Sequence, residues 1–182
     1  MRGFATRARG VARAAGAWRL DARRVVSRAI DRGAPLPWLS AAADPSLWAL
    51  TLLRGASGMR AAVGSSLGLS TALRVAFHVD VWTDDIGGGL GMPHPFNIVI
   101  GGEVRVGPGC TLMHGVTIQH GAREIGRGAV LANGATVLRG ASVGEGCLVG
   151  TASVVRGDLP PRTVAVGAPA RVVRAVRHGE AG

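Results

Sequence analysis

The sequence predicts a mainly β fold, a parallel β-solenoid of about four coils behind a short α-helical N-terminal region. Three observations carry this. Between Ile86 and Val155 an aliphatic residue returns every six positions, a small or slim residue follows four places after it, and glycine recurs at the fourth place of the six. A fixed short period sustained this long does not arise from composition and marks a solenoid built of hexapeptides.

The beat falls on Ile86 and Met92. After two extra residues it falls on Ile100, Val106, Leu112 and Ile118, and after one more on Ile125, Leu131, Val137, Val143, Val149 and Val155. Its small partners are Val104, Cys110, Val116, Ala122, Ala129, Ala135, Ala141, Cys147 and Ser153. Each six reads as a short strand plus a corner, with the aliphatic and the small residue turned inward. Glycine at Gly109, Gly115, Gly121, Gly128, Gly134, Gly140 and Gly146 suits a corner that needs backbone freedom. Three sixes close one triangular coil, and coils stack at the interstrand spacing of about 4.7–4.9 Å. Twelve sixes give four coils.

Upstream, Val11, Ala14, Ala15, Trp18, Ala22, Val25, Val26 and Ala29 form a helical stripe within residues 1–34, with Arg13, Arg23, Arg24 and Arg28 mostly off it. The early Arg-rich, acid-free stretch has the composition of a transit peptide, but the helix runs on past it with a buried-looking face, and no secretory h-region is present. Pro35 and Pro37 interrupt the helix. Asp44-Pro45 reads as an N-cap followed by proline at the first helical position. A short helix through Trp48, Leu52 and Leu53 then ends at Gly55 and Gly58, and a third covers Ser70 to Phe77. Arg54, Arg60 and Arg74 break the apolar run from Leu47 to Phe77, so no clean stretch of about 20 residues remains for a membrane span. The chain divides into residues 1–78 (helical), 79–158 (hexapeptide repeats) and 159–182 (closing segment and short polar tail).

All 21 basic residues are Arg against 11 acids, a net charge of +10. Residues 1–30 hold eight Arg and one Asp, whereas Ala76 to Pro160 hold five Arg and seven acids, so the excess sits at the ends. A basic end suits nucleic acid, an anionic membrane surface or a partner. Without interleaved aromatics the nucleic-acid reading is set aside. A solvated helix face is the plain alternative to membrane-surface contact by the Arg-rich N-terminus. Cys110 and Cys147 take the inward small place two coils apart, roughly 9–10 Å, beyond the disulfide reach of about 7 Å. They read as core residues with no sign of an oxidising compartment, and a cytoplasmic location is expected.

Register also makes a prediction about the surface. Taking every third six puts His94, His114, Asn133 and Thr151 at the third place on one face, a column beside a corner with about one strand spacing between rungs. Such a column lines a groove along the solenoid axis, a shape suited to a long thin ligand.

The stretch from Phe77 to Val173 resembles the serine acetyltransferase branch of the hexapeptide-repeat acyltransferases, and also the colanic acid and other glycan O-acetyltransferases built on the same plan. The matching words are Phe77-His78-Val79-Asp80-Val81, Met92-Pro93-His94, Ile98-Val99-Ile100-Gly101, His114-Gly115-Val116-Thr117-Ile118 and Val166-Gly167-Ala168-Pro169-Ala170-Arg171. The resemblance implies a left-handed β-helix, acetyl-CoA as co-substrate without a metal, a homotrimer with sites between neighbouring solenoids, and transfer of acetyl to a hydroxyl. On it His94 aligns with the catalytic base and Asp80 with the carboxylate that orients it, with Asp84 and Asp85 as nearby substitutes. His114 is a second site residue, and His120 lies on the short loop beyond it. Ala132, Asn133, Thr151 and Ala152 match the CoA-binding stretch, and Arg171, with Arg174, stands where CoA phosphates could be met. His78 and His178 are assigned no role. The sequence departs from serine acetyltransferases at Pro93, where they carry Asp, at the shortened loop Gln119 to Glu124, whose second active-site histidine would align near Ala122, and in its shorter helical region. The acceptor therefore stays open between serine, a glycan sugar and a natural-product hydroxyl.

Histidine chemistry fits such a transfer, because a hydroxyl is a weak nucleophile until a base within hydrogen-bond reach takes its proton. A rival on the same solenoid is a zinc enzyme like the γ-class carbonic anhydrases, with His94, His114 and His120 as ligands, although the five residues between His114 and His120 exceed the four that class uses. A non-catalytic scaffold is a third reading.

Overall fold

The computed structural model describes residues 2–177 and 180, with side chains from Ala5 onward. His178 and the last two residues lie outside the described residues. Four helices lead: α1 (Arg2–Asp31), α2 (Pro37–Ala42), α3 (Pro45–Val63) and α4 (Leu69–Phe77). Two-residue strands follow: β1 (Asp80–Val81), β2 (Val99–Ile100), β3 (Arg105–Val106), β4 (Thr111–Leu112), β5 (Thr117–Ile118), β6 (Glu124–Ile125), β7 (Val130–Leu131), β8 (Thr136–Val137), β9 (Ser142–Val143), β10 (Leu148–Val149) and β11 (Val154–Val155). The longer β12 (Thr163–Val166) and β13 (Arg171–Ala175) close the chain.

Every third strand pairs in parallel, which makes three walls. One runs β1-β2-β5-β8-β11, the second β3-β6-β9, and the third β4-β7-β10-β12 with β13 added antiparallel. Single bridges extend the walls, Ile86 on Val106, Gly91 on Thr111 and Leu159 on Val143. The solenoid therefore has about five turns rather than four. The extra turn is split between its ends, where Asp80–Val81 opens a coil ahead of the first regular six and Leu159 with β12 finishes one after Val155. Hydrophobic periodicity missed both because proline and turn residues replace the beat there.

The inward places hold as the period requires. Ile100, Leu112, Ile118, Ile125, Leu131, Val137 and Val149 are fully buried, as are Cys110, Ala122, Ala129, Ala135, Ala141, Cys147 and Ser153. The seven corner glycines all have φ between +62° and +77°, the left-handed region that a side chain disfavours. Both cysteines are free and buried.

The helical region departs from its sequence pattern. Helix α3 does not stop at Gly55 or Gly58 but continues to Val63, where left-handed Gly64 caps it. The two glycines are contact points, since a Cβ at Gly55 would lie 3.2 Å from Leu69 and one at Gly58 3.6 Å from Ala14. Its start is as predicted, with the Asp44 carboxylate accepting from the Ser46 amide at 2.8 Å and proline at the first helical positions. Helix α2 was not foreseen. The packed face of α1 is Ala14, Ala17, Asp21, Val25 and Ala29, while Val11 and Trp18 of the predicted stripe stand exposed. The stripe is turned because a charged pair sits in its centre. Asp21 accepts from Arg54 Nε at 2.7 Å and Nη2 at 3.3 Å, and from the Leu90 amide at 2.9 Å. Arg54 also donates to the carbonyls of Ile86 and Gly87. Arg24, expected off the stripe, donates from Nη1 to the carbonyls of Gly89, Gly109 and Cys110 and from Nη2 to the Thr111 hydroxyl. The helical layer thus grips the first two coils through polar side chains, and this fixes where α1 lies relative to the histidine corner. No helix among the described residues is long and apolar enough to cross a membrane.

Candidate active site

The site is built on the corners that join the β4-β7-β10 wall to the β2-β5-β8 wall. The hexad leaves the third residue of each six at the corner with its side chain outward and its amide unbonded. The backbone rungs are explicit: Gly134 donates to the His114 carbonyl at 3.0 Å and Ala152 to the Asn133 carbonyl at 2.8 Å. His114, Asn133 and Thr151 therefore stand above one another. The amides of these three donate to no group among the described residues.

One coil down, Gly115 donates to the Phe96 carbonyl at 3.0 Å, so the backbone rung below His114 is Phe96. The two extra residues after Met92 form a bulge at His94-Pro95, closed by the Phe96 amide donating to the His94 carbonyl at 2.8 Å. The bulge lifts His94 out of the ladder, yet its imidazole reaches the next rung. The His94 and His114 rings lie edge to face, centroids 6.0 Å apart. Both side chains are exposed, and neither ring makes a hydrogen bond in the single chain. Beside them Asn133 is half-buried, and its Oδ1 is closed off from solvent with no partner. A buried acceptor left empty is costly, and the pattern of outward amides plus one empty acceptor fits the amide-bearing arm of CoA.

The other predicted residues fall as follows. Ala152 takes the corner place usually held by glycine, at φ +53°, and is exposed like Thr151; Ala132 is half-buried. Asp80 stands on β1, paired with Val99. Its carboxylate is held by Arg74, 3.1 Å from Nε and 3.0 Å from Nη2, and makes no hydrogen bond to His94. Asp84 is bonded to Arg60, and Asp85 lies 3.5 Å from Arg105. His120 is at the next corner, against Gly102 and 3.7 Å from Glu103, so the structure does not bring it to the other two histidines. Among the described residues no three His, Cys, Asp or Glu side chains converge as metal ligands. Arg171 is exposed on β13 and donates only to the Ala170 carbonyl, whereas Arg174 is taken up by Glu180. His78 caps α4 in the left-handed conformation, a structural position. Sequence reading did not foresee that Arg28 is half-buried, with Nε and Nη2 shut off from solvent and without a partner.

No protein-family model and no curated protein matches the sequence at a significant level. Solved structures do. Soybean serine acetyltransferase is 30% identical with a TM-score of 0.73, covering 87% of this chain and 69% of that one, and the same enzyme complexed with serine matches at 30% with a TM-score of 0.72, covering 87% and 70%. Serine acetyltransferase of Neisseria gonorrhoeae has a TM-score of 0.76 at 22% identity, covering 92% of this chain and 69% of that one. A serine acetyltransferase in complex with CoA has a TM-score of 0.71 at 24% identity, covering 87% and 68%. These last two share the fold.

Proposed function

Because the chain belongs to the serine acetyltransferase family of hexapeptide-repeat acyltransferases, we propose that it is an acetyl-CoA-dependent O-acetyltransferase working by direct transfer. The observation that carries this is the His94–His114 ring pair at the foot of an outward column of free amides. His94 takes the proton of the acceptor hydroxyl. The oxygen, freed of its proton, adds to the thioester carbonyl, and His114 or the corner amides hold the oxyanion. The C–S bond then breaks, and CoA departs as the thiol once His94 returns the proton. The sequence offers no evident nucleophile for an acyl-enzyme, and in this scheme the two substrates meet directly.

Ala132, Asn133, Thr151 and Ala152 line the path assigned to the pantetheine arm, with Arg171 for the phosphates. Asp80 orients His94 in this scheme once its carboxylate turns from Arg74, fixing the imidazole tautomer and stabilising the imidazolium. The working unit is a homotrimer with each site between neighbouring solenoids. The acceptor is a hydroxyl of serine or of a glycan sugar.

Thiol release from acetyl-CoA against serine and sugar acceptors tests the reading. Activity that rises with an added acceptor and is lost in His94→Ala supports it, and activity undiminished in that variant removes His94 from its role.

A further inference from the structure

Helix α1 has a second apolar flank that nothing in the single chain covers. Arg13, Leu20 and Arg24 are the residues by which it meets the solenoid, at the Asp84 carbonyl, Gly88 and Thr111. At 3.6 residues per turn, a side chain two places further on is turned by about 200°. Ala15, Ala22 and Val26 therefore look away from the solenoid. Val11, Trp18 and Ile30 join them at spacings of three and four, which is one side of a helix. These three are 40%, 38% and 58% exposed, so the strip is open surface rather than core.

Three open hollows of about 520, 320 and 380 Å³ follow this strip. The first two lie between α1 and α3, where the Trp18 indole donates to the Thr51 hydroxyl at 3.0 Å. The third lies on α1 alone. Val11 lines the first and the second, and Trp18 the second and the third, so they run end to end. From Arg7 to Ile30 the run is about 35 Å at 1.5 Å per residue.

Its charges are of one sign. Arg7, Arg19 and Arg23 line the hollows and no acid does. Among the described residues none of these three guanidinium groups has a hydrogen bond or an ion pair. Arg54, also in the lining, is taken by Asp21. A second copy of the strip would bring no acid to the three arginines, and a nucleic acid would satisfy them but leave the apolar strip bare. The complement is negative at its surface and apolar just beneath. A leaflet rich in acidic phospholipid is layered in that way: its phosphates attract arginine, and its acyl chains accept the apolar flank of a helix lying in the interface. Arginine stems lie along apolar surface while their heads reach the phosphates, and tryptophan is suited to the same boundary.

We propose that this strip of α1 docks the protein on an anionic phospholipid surface. Trp18, Val26 and Ile30 enter the acyl boundary, Arg7, Arg19 and Arg23 hold headgroup phosphates, and the solenoid stays on the water side. The docking does not depend on the transferase reading.

The whole chain is sedimented with vesicles of phosphatidylcholine alone and of equal parts phosphatidylcholine and phosphatidylglycerol, in about 0.1 M salt, where charge acts over about 10 Å. Binding to the mixed vesicles should be at least tenfold tighter than to the neutral ones. The double variant Arg19→Glu with Arg23→Glu should weaken it tenfold or more, and Ile30→Glu severalfold. Arg139→Glu with Arg156→Glu changes the net charge equally at two exposed arginines of the solenoid and should stay within threefold of the wild type. Tryptophan emission of the wild type should move to shorter wavelength on the mixed vesicles and be quenched by phosphatidylglycerol brominated in its acyl chains, a readout that needs no variant. Binding to neither vesicle, or equally to both, overturns the proposal. So does a loss as large in the solenoid control, or binding without the emission shift and quenching, which leaves only attraction between net charges. A tenfold preference for duplex DNA over the mixed vesicles assigns the face to nucleic acid. A smaller assembly of Ile30→Glu in sedimentation equilibrium assigns it to contact between copies. Either result likewise overturns the proposal.

Discussion

At the scale of single residues, His94 and Cys110 show opposite uses of one solenoid. His94 sits on a bulge, exposed, with its ring free of hydrogen bonds. General-base contributions run to about 10²–10⁴-fold, so His94→Ala is expected to lower kcat by that amount with a smaller change in KM for acetyl-CoA. Asn133→Ala removes the empty buried acceptor and should raise KM for acetyl-CoA several-fold with kcat little affected, as steady-state kinetics will report. Cys110 is sealed in the core, where burial pushes its thiol up to about 11. Iodoacetamide at pH 8 should therefore label Cys110 in the native protein about 100-fold more slowly than in urea, because the thiolate is the reactive form. Rapid native labelling at Cys110, read by peptide mass spectrometry, would refute this. The period alone places Cys110 inward and the histidines outward. It does not place Arg28 or the Asp21–Arg54 pair, since helical periodicity sorts residues by polarity and both sites put charge on a packed face.

At the scale of elements, coil stacking depends on backbone meeting backbone. A Cβ at Gly101 would lie 2.3 Å from the His120 amide nitrogen, a contact with no flexible side chain to give way. Gly101→Ala is expected to destabilise by about 1–3 kcal/mol, the range for enforced overpacking and backbone displacement, measured by denaturant unfolding. The link from α3 to the first coil has a pH signature. Burial is the largest single influence on Asp84 and works against its charge, but the hydrogen bonds and charge of Arg60, with the Ser57 hydrogen bond and the charge of Arg13, together outweigh it and hold the carboxyl below its ordinary value. A lowered folded value means the contribution is complete above about pH 4 and is lost as pH falls through the lowered value. The melting temperature of Asp84→Asn should trail the wild type at pH 6 and converge on it toward pH 3; a gap that persists unchanged speaks against the pair. Sequence reading ended α3 at Gly55 and Gly58 because glycine lowers helix propensity. Tertiary contact overrode that cost by using both as close-packing points.

At the scale of the whole molecule, the helical layer is fastened by side chains that have no partners of their own kind in sequence. Arg54, 6% exposed, and Asp21, fully buried, join α3 to α1, and both bond the first coil. Removing one member of a buried pair strands the other, typically at about 3–5 kcal/mol. Asp21→Ala should thus destabilise more than the double variant Asp21→Leu with Arg54→Met, a comparison that denaturation of the three proteins settles. Sedimentation equilibrium checks the proposed trimer, and a monomer that is active with acetyl-CoA would exclude a site shared between solenoids.

The sequence by itself determined the solenoid, its inward core, its left-handed glycine corners and the stacking of His114, Asn133 and Thr151. Each of these follows from a local period that one six-residue unit imposes on the next. Only the tertiary structure decided that the ends complete a fifth turn, that His94 reaches the column from a bulge while Phe96 holds its rung, that Arg74 claims Asp80, and that Arg28 is left with buried, unpartnered Nε and Nη2 groups. Those depend on how a helix of one periodicity docks on a wall of another, and no repeat within either element encodes that contact.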